Sequence, residues 1–200
     1  DRGEQYPRTE REAFILTGRP FFDVDALIHY DDLQGDYQPL YSFDFVPVGS
    51  GASRKKDEQG QGNIKVFVEP EPERSYAIGA DVATGRGYDF SAAYVIDLDT
   101  MMICAEFRSK IDADLFAEQL HYLGRWYNTA FLAVETGGGY GEAVLIPLRD
   151  GRAGRPTYPK LYKHILSNLP GLPWAKPYGF PMHPNTRPLV VSQAEQALRE

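Results

Sequence analysis

The chain has 200 residues, 42% of them hydrophobic and 24% charged, which is enough to bury a core of ordinary domain size. Its 21 lysines and arginines against 28 aspartates and glutamates give a net charge of −7, which argues against a strongly basic nucleic-acid binder but not against a nuclease, whose metal-holding acids also count as negative. The single cysteine, Cys104, excludes a disulfide framework and a cysteine-based zinc site, and no apolar run reaches the ~18 residues of a membrane span.

The first part of the chain lacks a domain-sized core. Residues 1–48 mix aromatic and polar residues, and we predict an arm or junction from a preceding domain, with one or two helical turns over residues 9–16. Residues 49–63 are glycine-rich and polar without apolar periodicity, which predicts a flexible loop or a projecting hairpin. Lys55 and Lys56 within this segment suit DNA contact, but a solvated turn is the commoner role of such a pair.

From residue 64 the apolar pattern becomes regular and predicts an α/β domain over residues 64–200. Apolar residues at spacings of 4, 3 and 4 predict a helix over 112–127, and Asn185 or Thr186 caps a last helix with Pro188 in its first turn. Predicted strands cover residues 64–68, 76–82, 91–98, 101–107, 130–135 and 160–163, and a further helix starts near 140–142. Three strands, a helix, a fourth strand and a helix are the order of a ribonuclease H-like mixed sheet flanked by helices.

Two acids follow apolar strands in this domain. Asp81 ends one strand before a turn that contains Gly85 and Gly87, and Glu135 ends a later strand before Thr136 and three glycines. Acids at the ends of core strands suit a divalent-metal site, because burying them without a cation or donors is costly. The alternative roles are structural: a strand-end aspartate that caps the following turn, and a surface acid just past a buried strand.

Other polar or glycine positions are weaker candidates. Asp89, in the turn after Asp81, is a candidate outer acid of a metal site, although a structural role in the turn is favoured. Candidate contacts with phosphate or DNA are three glycines at a helix start and two cations: Gly137, Gly138, Gly139, Lys176 and Arg187. A tight turn and surface cations are the alternatives, and the four histidines lack the spacing of a zinc site.

Two motifs of the chain resemble one protein family. Gly79-x-Asp81-x-Ala83-x-Gly85-x-Gly87-x-Asp89-x-Ser91, followed later by Glu135 and the three glycines, resembles the nuclease domain of the large terminase subunit of tailed phages. Tyr6-Pro7-Arg8-Thr9-Glu10-Arg11-Glu12-Ala13-Phe14, followed by Gly18-Arg19-Pro20-Phe21-Phe22-Asp23, resembles the junction between the ATPase and nuclease domains of that family. The resemblance covers residues 6–23 and 64–200.

This resemblance implies a metal-dependent endonuclease that cuts concatemeric viral DNA during packaging. It implies that Asp81 and Glu135 are catalytic carboxylates and metal ligands, and that two Mg²⁺ or Mn²⁺ ions are the cofactors. The implied partners are double-stranded DNA, the portal, the small terminase subunit and an ATPase domain of the same polypeptide, with no membrane. The implied location is the cytoplasm of a bacterial host, as the product of a phage or prophage.

The chain departs from the family pattern in two respects. No Gly-x-x-x-x-Gly-Lys-Ser/Thr motif of the ATPase half occurs in it. In addition, the last catalytic acids of the family lie beyond a helix like the one predicted over 186–199, where this chain stops. We therefore expect a fragment or the ordered part of a longer protein, with weak or no activity by itself.

Two other functions remain open at this point. A nucleotide-binding domain of the actin and sugar-kinase type shares the core order and also begins with a strand, an aspartate and a glycine turn. Such a domain requires a second lobe and a second phosphate loop, which the 200 residues do not contain. The second alternative is a degenerate nuclease fold that serves as a non-catalytic module for assembly on DNA or a portal. Such a module would explain why a third acid is missing.

Overall fold

The computed structural model describes residues 22–34, 37–49, 51–57, 60–83, 89–152, 154–164 and 178–199. The chain divides into two compact units, one spanning residues 39–182 and the other combining residues 1–38 with residues 183–200. Within the described ranges, no helix has both the length and the apolar character needed to cross a membrane.

A seven-stranded mixed sheet forms the centre of the larger unit. The strands are β1 (Tyr41–Val48), β2 (Gly51–Asp57), β3 (Ile64–Val66), β4 (Tyr76–Asp81), β5 (Ser91–Asp97), β6 (Ile103–Ser109) and β7 (Phe131–Val134). The helices are α1 (Val24–Gln34), α2 (Ala113–Trp126), α3 (Gly141–Asp150) and α4 (Arg187–Arg199), of which α2 and α3 belong to the larger unit. The strand order is β2-β1-β3-β6-β5-β4-β7, and only β4 and β7 run parallel to each other.

The path from β4 to β7 confirms the predicted α/β class with a mixed sheet flanked by helices. Strands β4, β5 and β6 form an antiparallel meander, α2 crosses over, and β7 returns parallel to β4. Beyond β7, Leu161 bridges Leu132 in parallel. The strand predicted over residues 160–163 is thus reduced to isolated bridges.

One face of the sheet is buried under α2, and the opposite face is open near the end of β4. Ala80, Ala93 and Phe107 are register partners on neighbouring strands, and all three are buried. Phe116 of α2 stacks on Phe107 with ring centroids 5.0 Å apart, so α2 covers this face. Because side chains alternate along a strand, the next residue, Asp81, lies on the opposite face, where it is exposed.

The structure corrects the prediction of a flexible loop over residues 49–63. Residues 51–57 form β2, which pairs along the length of β1. A two-residue connection joins Val48 to Gly51, and its first residue, Gly49, has a φ of 60°, as tight hairpin turns require. Strands β1 and β2 therefore form a hairpin, which was the second of the two predicted alternatives for this segment.

The polar residues of β2 are stabilised by aromatic partners that are distant in the sequence. The guanidinium carbon of Arg54 lies 4.6 Å from the ring centroid of Trp126, and the amine of Lys56 lies 4.2 Å from that of Tyr41. Cations with long aliphatic stems gain from such ring contacts. Local periodicity does not reveal these partners, which is why β2 was not predicted as a strand.

The domain limits also differ from the expectation of an arm over residues 1–48 and a domain over residues 64–200. Strand β1 belongs to the sheet, whereas α4 contacts α1 in the smaller unit. Helix α1 was not predicted; it is capped by Asp23, whose side chain accepts a hydrogen bond of 2.9 Å from the backbone N–H of Ala26. The helical turns predicted over residues 9–16 lie outside the described residues.

The β5–β6 turn leads to a prediction about acid stability. Asp97 is buried and accepts hydrogen bonds from Arg74 Nη1 (2.8 Å) and from the backbone N–H groups of Asp99 (2.8 Å) and Thr100 (3.3 Å). Burial by itself raises the pKa of Asp97. The hydrogen-bond donors lower the pKa by more than burial raises it, so that it lies below its ordinary value. In the unfolded chain the pKa of an aspartate is about 3.9. Because the pKa of Asp97 is lower in the folded protein, its ionised form stabilises the fold at pH values above about 3.9, and this stabilisation is lost as the pH falls through the pKa of the folded state.

We therefore expect Asp97→Asn to lower the urea midpoint at pH 7 and to lower it less near pH 3. The exposed Asp99 provides the control, since Asp99→Asn removes the same charge without removing a buried acceptor. Equal losses for Asp97→Asn at both pH values would show that the stabilisation does not depend on its ionisation.

Candidate metal and nucleic-acid site

Asp81 and Glu135 meet at the ends of two parallel strands. Ala80 of β4 is the register partner of Val134 of β7, and the Glu135 backbone N–H extends this pairing by donating to the Ala80 carbonyl oxygen at 2.8 Å. Each acid follows its paired residue by one position, so both side chains emerge at the same end of the sheet and on the same face. Asp81 is exposed there, and Glu135 is half-buried.

The two carboxylates interact directly. Burial raises the pKa of the Glu135 carboxyl, and the Asp81 carboxylate, which is within hydrogen-bonding range, raises it further. The nearby backbone N–H of Gly137 opposes the rise of this pKa without cancelling it. Two carboxylates so close repel each other when both are ionised, and either a shared proton or a divalent cation relieves that repulsion.

The glycine run after Glu135 shapes the position of that side chain. A Cβ atom on Gly137 would overlap Glu135 Oε1 and the Met182 carbonyl oxygen. The Gly139 N–H is directed at the Thr136 carbonyl oxygen, within a single 3₁₀ turn over residues 137–139. The Gly139 N–H that we predicted for phosphate thus has a partner within the chain, and the lack of a side chain at Gly137 leaves room for the Glu135 carboxylate.

Substitution of Gly137 tests this orienting role. We expect Gly137→Ala to displace the Glu135 carboxylate, because the methyl group would occupy its place, and to weaken Mn²⁺ binding at least about tenfold, as loss of ligand positioning does at other metal sites. Titration calorimetry with Mn²⁺ measures this effect. Gly79→Ala is the matched control, since a Cβ at Gly79 would meet nothing within 4 Å. Parent-like Mn²⁺ affinity of Gly137→Ala would contradict the role.

An open cleft of about 530 Å³ lies beside Asp81. Its lining includes the exposed Asp89, the predicted outer acid, together with Phe90 and Arg108. Asp81, Ala92 and Arg108 are successive register partners across β4, β5 and β6, so they form one row on the open face. The cleft therefore brings an acid and a cation to the same surface.

Arg108 and Phe90 were not among the residues predicted for the site. The sequence contains part of the signal: Arg108 follows the buried Phe107 within a strand and must point to the other face. Its neighbourhood depends on the pairing register of β4, β5 and β6, which one sequence does not specify.

The other candidates from the sequence are Arg187, Lys176 and the histidines. Arg187 begins α4 in the smaller unit, and Lys176 lies outside the described residues. His121 is buried in ring contacts with Tyr122 and Tyr158, as a core residue. In the part of the chain that the structure describes, no three His, Cys, Asp or Glu residues come together as a metal-binding group.

No protein-family model matches the chain, and no curated protein matches it. Among solved structures, the large terminase nuclease from thermophilic phage G20c with bound magnesium is 18% identical over 82% of this chain and 66% of that chain, with a TM-score of 0.49. The same nuclease with bound cobalt is 17% identical over 82% and 66%, with a TM-score of 0.47. The large terminase nuclease domain of Thermus phage P74-26 is 28% identical over 38% and 40%, with a TM-score of 0.35.

These solved structures belong to the family that the two sequence motifs resemble. The matched region spans between 40% and 66% of their length. The positions of Asp81 and Glu135 given above rest on the strand register of this chain itself.

Proposed function

We propose that the chain is the nuclease part of a phage DNA-packaging terminase, an endonuclease that hydrolyses phosphodiester bonds of concatemeric DNA with the help of divalent metal ions. The observation that supports it most directly is the contact between the Asp81 and Glu135 carboxylates at the ends of β4 and β7, beside an open cleft. The sequence motifs support the packaging role. We further propose as partners the ATPase domain of the same polypeptide, the portal and the small terminase subunit, in a bacterial host.

The donors at this site suit a hard divalent cation. Asp81 and Glu135 offer carboxylate oxygens from two strands, and such oxygens are the ligands that Mg²⁺ and Mn²⁺ prefer. Two such ions, when bound, would lower the pKa of a water molecule and stabilise the charge that develops on the leaving oxygen. Since no third acid joins the pair among the described residues, we propose that further acids beyond Glu200 complete the site, as the resemblance implies.

The residues around the acid pair would have separate tasks. Glu135 lies against Gly137, in a position that a side chain at residue 137 would disturb. Asp81 is exposed at the rim of the cleft, where it is accessible to a phosphate group and its metal ions. The absence of a side chain at Gly79, whose Cβ position faces open space, leaves room for DNA to approach this face.

Cutting of supercoiled plasmid DNA tests the proposal. We expect nicked and linear products with Mg²⁺ or Mn²⁺, and none with EDTA or Ca²⁺. A polypeptide that continues past Glu200 should cut faster than the 200-residue chain, because two carboxylates leave a second ion short of ligands. Cutting that proceeds equally in EDTA would contradict a metal-dependent nuclease.

One observation favours a second function, that of a non-catalytic assembly module: only two acids meet among the described residues. Such a module would bind DNA or a portal without cutting. A longer polypeptide that binds no Mn²⁺ and leaves plasmid DNA intact would support it.

A further inference from the structure

We propose that Arg108 and Lys110 form a phosphate-binding pair that holds the DNA backbone beside Asp81, and that the ring of Phe90 gathers the two cations. The guanidinium carbon of Arg108 lies 4.0 Å from the Phe90 ring centroid, and the amine of Lys110 lies 4.5 Å from it. This inference rests on the proposed function for the identity of the ligand as DNA.

The strand register places the cation pair on the same face as the acids. Arg108 is separated from Asp81 by one intervening strand, at Ala92, so their backbones are roughly 10 Å apart. Both Asp81 and Arg108 line the same cleft. A strand of DNA that presents one phosphate to the acid pair would therefore extend a neighbouring phosphate toward Arg108.

Arg108 has no carboxylate partner in the described part of the chain. Several other arginines of the larger unit do have such partners, for example Arg74 with Asp97 and Arg149 with Asp150. In a chain with a net charge of −7, an exposed arginine without a carboxylate partner on an open face suits an anionic ligand.

Phe90 explains how the two cations stay together. Its side chain is 40% exposed, yet its ring contacts both Arg108 and Lys110. Cation–π attraction restrains both long side chains and offsets the repulsion between their like charges. A ring that holds two cations is less suited to stacking on a base, so we assign the pair to phosphates and expect no base preference.

The cation pair also offsets the repulsion between the acids of the site and a bound phosphate. Asp81, Glu135 and the nearby Asp89 repel a phosphate unless positive charge balances them. Metal ions would supply part of that charge, and Arg108 and Lys110 would supply a further part where the backbone enters the cleft.

Salt dependence of DNA binding tests the inference. Anisotropy of a fluorescent DNA duplex, measured in EDTA so that no cutting occurs, gives the slope of log Kd against log salt concentration. Each phosphate contact contributes about 0.9 to that slope in duplex DNA. We expect Arg108→Ala and Lys110→Ala each to reduce the slope by about 0.9, and the double variant by about twice that amount.

Matched variants separate phosphate contact from loss of charge or of structure. Arg149→Ala removes the same charge from α3 and should leave the slope unchanged. Arg108→Lys should retain most of the slope, and Phe90→Leu should weaken binding whereas Phe90→Tyr should not. Urea midpoints verify that each variant is folded.

The outcomes distinguish this inference from the proposed function. An unchanged slope for folded Arg108→Ala, or no DNA binding by the parent even at low salt, overturns the inference, whatever the cutting assay shows. A reduced slope in a protein that never cuts DNA supports the phosphate-binding pair and contradicts the nuclease proposal.

Discussion

Asp81→Asn is expected to lose nearly all metal-dependent DNA cutting while the protein stays folded. The amide keeps the shape of the side chain and removes the negative charge that a divalent cation needs. Loss of residues that only support a metal ligand already lowers activity by about 10- to 100-fold, so loss of a ligand should lower it by at least about 100-fold. Because Asp81 is exposed at a strand end, the substitution should not change the urea midpoint substantially.

The assay compares parent and variant on supercoiled plasmid with Mn²⁺, in the 200-residue chain and in a longer polypeptide. Asp99→Asn is the control, since it removes one exposed carboxylate from the β5–β6 turn. If Asp81→Asn cuts as fast as its parent, Asp81 is not a metal ligand and the proposed mechanism is wrong.

Phe116→Ala is expected to lower the free energy of unfolding by about 3–5 kcal/mol. The Phe116 side chain is fully buried and stacks on Phe107, so its loss leaves a cavity between α2 and the sheet. Leu115, its neighbour on the helix, is 48% exposed, and Leu115→Ala should change stability by less than about 0.5 kcal/mol.

Urea denaturation of both variants therefore tests which face of α2 packs against the sheet. A loss for Leu115→Ala equal to that for Phe116→Ala would mean that the buried face is assigned incorrectly. The stacking of Phe116 on Phe107 would then also be wrong.

The elements nearest the acid pair could be predicted from the sequence because each one carries its own periodic signal. Strands β4 and β5 alternate buried and open positions, and in α2 Phe116, Leu120 and Leu123 fall on one buried stripe. These signals are local, and they also predict where a strand ends. Asp81 and Glu135 were found for that reason, as acids at strand ends.

The features that the sequence did not predict depend on contacts between distant residues. Arg54 and Lys56 of β2 contact aromatic rings that lie elsewhere in the chain. Arg108 lies near Asp81 because of the pairing register of β4, β5 and β6. A side chain at Gly137 would clash with the Glu135 carboxylate, and a glycine run in the sequence does not by itself reveal this steric constraint.

The central claim is that Asp81 and Glu135 together hold a divalent cation. Titration calorimetry of Mn²⁺ into the folded parent, Asp81→Asn, Glu135→Gln and the control Asp99→Asn tests it without requiring DNA or catalysis. We predict that the parent and Asp99→Asn bind Mn²⁺ with the same affinity, and that Asp81→Asn and Glu135→Gln each bind it at least about tenfold more weakly. Parent-like affinity in both of those variants, or no Mn²⁺ binding by the parent, would contradict the claim.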